Sequence, residues 1–136
     1  MSPLATRAQV ENALRTHFEA WNAKDRARWI ANWNPDVEMQ DPVGGPVKKG
    51  LQAVEASWDR SFQPGHDWRL EVVFQQICLD QAAVHVRNHG IVDGQKFTMD
   101  SIELYWIGHD GRVARVQTYF SPPAGQQLDP YFMQKP

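Results

Sequence analysis

The chain has 136 residues, 42% hydrophobic and 22% charged, with a net charge of −2. That length suits a single domain, 1–136, able to bury roughly two-thirds of its unfolded surface. The balanced charge excludes the basic stripe of a nucleic-acid binder, and no run of about 18 apolar residues exists to span a membrane. The start, Met1 to Arg7, lacks the apolar segment of a secretion signal. One cysteine, Cys78, leaves no internal disulfide and fits a reducing, cytoplasmic setting; within the apolar stretch Val72 to Leu79 it is expected to be buried. Six tryptophans with six phenylalanines and three tyrosines give either a core of large side chains or an aromatic-lined pocket for a flat apolar ligand.

In chain order, Leu4 to Asn22 reads as an amphipathic helix, because Val10, Leu14, His17 and Trp21 form one stripe and set His17 in an apolar seam. Asp25 is placed to cap a second, short helix carrying Trp29, Ile30 and Trp33, with Pro35 as its stop. A strand over Val37 to Gln40 follows. A third helix spans Lys49 to Phe62, with Leu51, Val54, Trp58 and Phe62 on one face and Pro64-Gly65 beyond its end. The second half is strand territory: Trp68 to Leu79, Ala82 to Val92, Gln95 to Ile107 and Arg112 to Phe120. Asp93-Gly94 gives a strong hairpin signal. Three helices before a run of long antiparallel strands indicate an α+β fold with helices on one face of a curved sheet. The tail from Ser121 holds four of the nine prolines and is expected to be an irregular cover or interface segment.

The run Val37-Glu38-Met39-Gln40-Asp41-Pro42-Val43-Gly44-Gly45 places a carboxylate where a strand must stop. Proline removes a backbone donor and biases Asp41 away from helix, and the glycines let the chain turn. Asp41 is therefore either a turn former or a base at the lip of a cavity. In the strand after the hairpin, alternation sets Phe97, Met99, Ser101, Glu103, Tyr105 and Ile107 on one face. Glu103 is partly desolvated with a raised pKa if that face is concave, and is a solvated charge if it is not.

Trp21-Asn22-Ala23-Lys24-Asp25 after the first helix and Asp41-Pro42-Val43-Gly44 after the first strand resemble the NTF2-like superfamily, in particular the ketosteroid isomerase branch of the SnoaL-like enzymes. The resemblance covers Val10 to Phe120. It implies a cone-shaped α+β barrel with a deep apolar pocket between helices and sheet. It also implies a cofactor-independent enzyme that moves a proton next to a carbonyl of a small apolar, steroid-like substrate through a dienolate. Asp41 matches the family's general base. His17 and Glu103 stand where the family has the tyrosine and the protonated aspartate of its oxyanion hole, and these are departures from the pattern. Trp21, Trp33, Trp58, Met99 and Tyr105 are the candidate pocket walls, and a homodimer is implied by the same resemblance.

Two other readings stay open: a SnoaL-like dehydratase, cyclase or hydrolase with His17 as acid/base, and a non-catalytic ligand-binding module. His85 and His89 share a strand face with Arg87, and His66 lies nearby, but no metal-ligand spacing joins them, so no metal is expected. Asp25 is expected to cap a helix rather than react. Lys48-Lys49 is too short for a phosphate or nucleic-acid patch. Phosphate-loop, nucleophile-elbow and dinucleotide fingerprints are missing, and no cofactor is expected.

Overall fold

A computed structural model of the chain describes residues 3–120. Among them are α1 (Arg7–Asn22), α2 (Arg26–Ala31) and α3 (Leu51–Ser61). The strands are β1 (Trp33–Gln40), β2 (Lys48–Lys49), β3 (His66–Cys78), β4 (Gln81–Val92), β5 (Gln95–Ile107) and β6 (Val113–Phe120). The expected tail segment 121–136 lies outside the described residues.

Local chemistry sets the ends of these elements. Thr6 and Gln9 form a capping box that opens α1: the Gln9 amide donates to Thr6 Oγ1 at 3.1 Å and the Thr6 amide to Gln9 Oε1 at 2.9 Å. Asp25 caps α2 by accepting from the Arg28 amide at 3.1 Å. That helix ends earlier than Pro35 suggests. Asn32 breaks it, with its side-chain amide tied to the Ala13 carbonyl at 2.9 Å. Trp33 then opens β1 instead of continuing the helix, and Pro35 falls where the β1–β6 ladder is interrupted, so its missing N–H leaves no gap in pairing. Asp93 and Gly94, both at positive φ (50° and 82°), form the tight turn that pairs Val92 with Gln95.

The six strands make one open sheet in the order β2-β1-β6-β5-β4-β3. All neighbours are antiparallel except β1 and β6, which run parallel. The three helices cover one face. Val10, Leu14, His17 and Trp21 of α1 are all buried against it, as the helical stripe requires. Alternation on β5 holds as well: Ser101, Glu103, Tyr105 and Ile107 are buried, while Asp100 and Ile102 are exposed. At Gly90 the ring of Trp68 lies so close that a Cβ would stand 2.3 Å from it, so glycine is what lets that indole lie on β4.

Cys78 departs from expectation and is exposed. β3 is an edge strand with a bulge between Val72 and Phe74, and from Val72 to Gln76 its residues face solvent. An apolar run at a sheet edge does not guarantee burial.

Candidate functional site

The helices and the concave face of the sheet enclose a pocket of about 100 Å³. The seam of α1 contributes His17 and Trp21, β5 contributes Met99, Ser101, Glu103 and Tyr105, and Asp41 closes the end of β1. Register brings the carboxylates into line. Gln40 pairs with Gln117 across β1–β6, and Glu103 pairs with Thr118 across β5–β6. Asp41 just beyond the end of β1, Thr118 on β6 and Glu103 on β5 therefore lie on three neighbouring lines of chain, with the outer two backbones roughly 10 Å apart at two strand spacings. Thr118 Oγ1 donates a short hydrogen bond to Asp41 Oδ1. The Val43 amide donates to the Thr118 carbonyl at 2.8 Å and anchors the loop on the other side of the cis Asp41–Pro42 peptide.

Glu103 is the hub of a buried polar network. Tyr105 Oη donates to Glu103 Oε1 at 2.5 Å and lies 3.1 Å from His17 Nε2. Ser101 Oγ donates to Glu103 Oε2 at 3.0 Å and itself accepts from Asn88 Nδ2 at 3.1 Å. The direction of both arms follows from proton counting. Asn88 Nδ2 can only donate, so the Ser101 proton is free for Glu103. His17 Nδ1 is buried with no partner among the described residues. A bare buried lone pair is less costly than an orphaned N–H, so the ring proton is assigned to Nε2 and given to Tyr105. Tyr105 then has its single proton for Glu103. Two neutral arms thus converge as donors on one carboxyl group.

Burial decides the ionisation of these groups. It pushes Glu103 up to about 7; its hydrogen bonds from Tyr105 and Ser101 oppose the rise, and the charge of Asp41 adds to it. Burial lowers His17 to about 3, so the ring is neutral near pH 7. Tyr105 is raised well above its usual value by burial and by the neighbouring Glu103 charge. Asp41 is exposed as a whole residue, at the rim, but its carboxyl group turns in and loses water. That desolvation raises its pKa, against the Thr118 hydrogen bond and the charge of Lys48.

Of the residues singled out in the sequence, His17, Trp21, Trp33, Asp41, Met99, Glu103 and Tyr105 all line the pocket. Trp58 does not. It stands behind the wall, with ring centroids 5.3 Å from both Trp21 and Trp29 and 4.6 Å from Phe62. Trp33 reaches the pocket from a strand and not from a helix. His17 and Glu103 share no hydrogen bond; Tyr105, expected as a wall, stands between them. Thr118, Ser101, Asn88, Trp29 and Trp68 are among the lining residues that were not expected there. Applying alternation to β6 sets Thr118 with Val116 on the inner face, a signal present in the sequence. Asp25 sits outside the pocket as a cap. His85 and His89 pair with Asp100 and Glu71 at 3.0 and 2.8 Å on the opposite face, and no metal-binding cluster occurs among the described residues.

Residues 14–116 match the SnoaL-like domain family. The chain belongs to that family, within the NTF2-like superfamily. This SnoaL-like domain is 22% identical over 115 residues to a steroid Δ-isomerase of Nocardioides simplex, covering 85% of this chain and 92% of that protein. An LEH-like epoxide hydrolase of Mycobacterium tuberculosis has the same fold, with a TM-score of 0.74, 15% identity, and coverage of 93% of this chain and 86% of that one. So does a polyketide cyclase candidate of Xanthomonas campestris pv. campestris, with a TM-score of 0.75, 18% identity, and coverage of 85% and 92%. The epoxide hydrolase and the cyclase candidate thus share this fold. No helix among the described residues is long and apolar enough to cross a membrane.

Proposed function

We propose that this SnoaL-like domain is a cofactor-independent enzyme that moves a proton next to the carbonyl of a small, mainly apolar compound, through a dienolate. The observation that carries the reading is the contrast between two carboxyl groups in one pocket. Asp41, at the end of β1, turns its carboxyl group in to accept from Thr118, and Glu103, within β5, accepts from both Tyr105 and Ser101 and is raised to about 7. In this reading Asp41 takes the proton from the carbon α to the carbonyl. Negative charge moves to the substrate oxygen, which the acid form of Glu103 meets as an O–H donor, with Tyr105 held beside it by His17. Asp41 then returns the same proton to the γ carbon, so the reaction is a net isomerisation and consumes no other reactant.

The enclosed volume of about 100 Å³ is well below the roughly 300–1,000 Å³ that surrounds a whole drug-sized ligand. It suits the reacting end of a substrate, with a steroid-sized remainder extending through the mouth. A His17-centred dehydratase, cyclase or hydrolase is less well supported, because a ring held at about 3 gives up no proton as an imidazolium near neutrality. Association of two copies through the outer sheet face is part of the proposal only by family resemblance.

The test is conversion of β,γ-unsaturated ketones, from single-ring to four-ring, to their conjugated isomers, followed by ultraviolet absorbance. Turnover that fails in Asp41→Asn supports the reading. Wild-type protein that neither isomerises the series nor exchanges α-protons with D₂O would leave a ligand-binding module in its place.

A further inference from the structure

Asp41 lies just past the last residue of β1, and as a whole residue it is exposed. An aspartate so placed gains hydration by turning its carboxylate to water. Here the carboxyl group turns into the pocket instead. Strand β6 holds this end of the chain at three points. Gln117 Nε2 donates to Gln40 Oε1 at 3.1 Å, and Gln40 Nε2 donates in turn to the Gly45 carbonyl at 3.1 Å. The Thr118 carbonyl accepts from the Val43 amide at 2.8 Å. These two contacts place the turn on either side of Asp41 and leave its side-chain torsions free. The third point, the Thr118 hydroxyl, is the one that reaches the carboxyl group itself.

Thr118 is built to hold a fixed direction. It is buried, it lines the pocket, and its pairing with Glu103 ties its backbone to the middle of the sheet. Branching at Cβ restricts its χ1, so the hydroxyl is presented one way. A hydroxyl has one proton and a carboxylate can only accept, so the Thr118 proton goes to Asp41 Oδ1. Oδ2 has no hydrogen-bond partner among the described residues. The two oxygens of one carboxyl group are thereby made unequal.

We infer that Thr118 is the positioning residue for the base: its hydroxyl holds the Asp41 carboxyl group turned into the pocket and occupies Oδ1, which leaves Oδ2 as the oxygen that takes and returns the proton. Thr118 touches no reacting atom in this arrangement. It acts by restricting the torsions of a side chain whose backbone is already placed, and proton transfer depends steeply on such geometry. The inference deepens the functional reading above and rests on it for the role of Asp41 as base. The orientation of the carboxyl group, in contrast, is a property of the free protein.

Thr118→Val removes the hydroxyl and keeps the shape, the branch at Cβ and the carbonyl that accepts from Val43. The ¹³C shift of the Asp41 carboxyl group, followed against pH by NMR with no substrate present, reports where the group sits. In the wild type desolvation raises the Asp41 pKa, and the Thr118 hydrogen bond lowers it. A carboxylate released by Thr118→Val turns to water, and its titration falls toward the ordinary 3.8. A carboxylate held inside by the turn alone loses only the hydrogen bond, and its titration rises. The titratable groups that share its field, Lys48 of β2 with Glu103 and Tyr105 of β5, and the neutral His17 of the pocket wall are the same in every variant. The fall is expected; a rise or an unchanged value would overturn the inference. Thr118→Ser keeps a hydroxyl and should titrate like the wild type, and a serine variant that behaves like the valine one would overturn it too. With the β,γ-unsaturated ketones, kcat of Thr118→Val should fall by about tenfold or more with KM within about threefold, and Thr118→Ser should return kcat to within about threefold of wild type. An unchanged kcat in Thr118→Val would also overturn it. Wild-type protein that turns over no ketone removes the base chemistry, and the hold of Thr118 on the carboxyl group is then decided by the NMR titrations alone.

Discussion

Asp100 and Glu103 lie three residues apart on β5 and have opposite electrostatics. Asp100 points to the outer face, where His85 at 3.0 Å and Arg87 at 3.1 Å hold its carboxyl below the ordinary range. Glu103 points to the inner face, where burial pushes its carboxyl up to about 7. The histidines follow the same division. His89 and His85 are partners of carboxylates on the outer face, whereas His17 is buried among Phe18, Trp29, Trp33 and Tyr105 and held neutral. One strand, by alternation alone, thus separates a charge-paired surface from a desolvated site. The lesson is that the inner groups are held in the less comfortable state by packing, which is where reactivity is expected.

The largest expected effect comes from the inner base. Asp41→Asn keeps the shape and a hydrogen bond to Thr118 but removes the proton acceptor, so turnover of the isomerisation substrates should fall by about 10³-fold or more with ligand affinity nearly unchanged. Steady-state rates set beside fluorescence-derived affinities make this visible; equal turnover in variant and wild type would remove Asp41 from the chemistry. Tyr105→Phe comes next, at about 10²-fold in turnover, because the lost hydroxyl is the donor that orients the Glu103 carboxyl group that meets the oxyanion. It also removes a hydrogen bond that holds the Glu103 pKa down, so the limb of the pH–rate profile set by Glu103 should move upward from about 7. A limb that stays in place would mean that the Tyr105 hydroxyl does not govern Glu103.

Stability against pH tests the same contrast without a substrate. Glu103 is raised on folding from 4.5 to about 7, so its contribution is fully present below 4.5 and is lost as pH rises toward 7, a difference of about 3 kcal/mol. His17 is lowered from 6.5 to about 3, so its contribution is present above 6.5 and is lost as pH falls toward 3. The two slopes cancel between 4.5 and 6.5. Urea titrations should therefore show the wild type nearly flat between pH 4.5 and pH 6.5, whereas Glu103→Gln should gain stability as pH rises across that window. His17→Phe should do the opposite and lose stability as pH rises from 4.5 to 6.5. Identical pH profiles for variants and wild type would show that neither group changes its proton affinity on folding.

Much of this contrast was legible in the residues. The spacing of Val10, Leu14, His17 and Trp21 sufficed to bury His17, and alternation sufficed to set Glu103 beside Ser101 and Tyr105. The strand-end Asp41 needed only Pro42 and the glycines after it. What escaped reading depends on relations between elements. Thr118 meets Asp41 because β1 runs parallel to β6 in one register, and no local pattern specifies that pairing. Tyr105 joins Glu103 to His17 only once α1 lies across β5. Trp58 has the periodicity of a wall residue, but Trp21 and Trp29 stand in front of it, and depth within an aromatic cluster is not written in spacing. Cys78 escapes because a hydrophobic run implies burial only on an inner strand, and β3 is an edge.

The smallest expected effect belongs to the outer face and is the control for all the others. Asp100→Asn abolishes one carboxylate on the strand that carries Glu103, separated from it by two residues and by the thickness of the sheet. Its charge is solvated and shared by His85 and Arg87, both of which remain hydrated without it. Turnover should stay within about twofold of wild type, and the Glu103 limb of the pH profile should not move. The sensitive reading is that limb: a shift comparable to the one expected for Tyr105→Phe would mean that charge on the outer face is felt through the sheet. The division between the two faces of β5 would then be one of degree, and Glu103 would have to be treated as coupled to the carboxylate of Asp100.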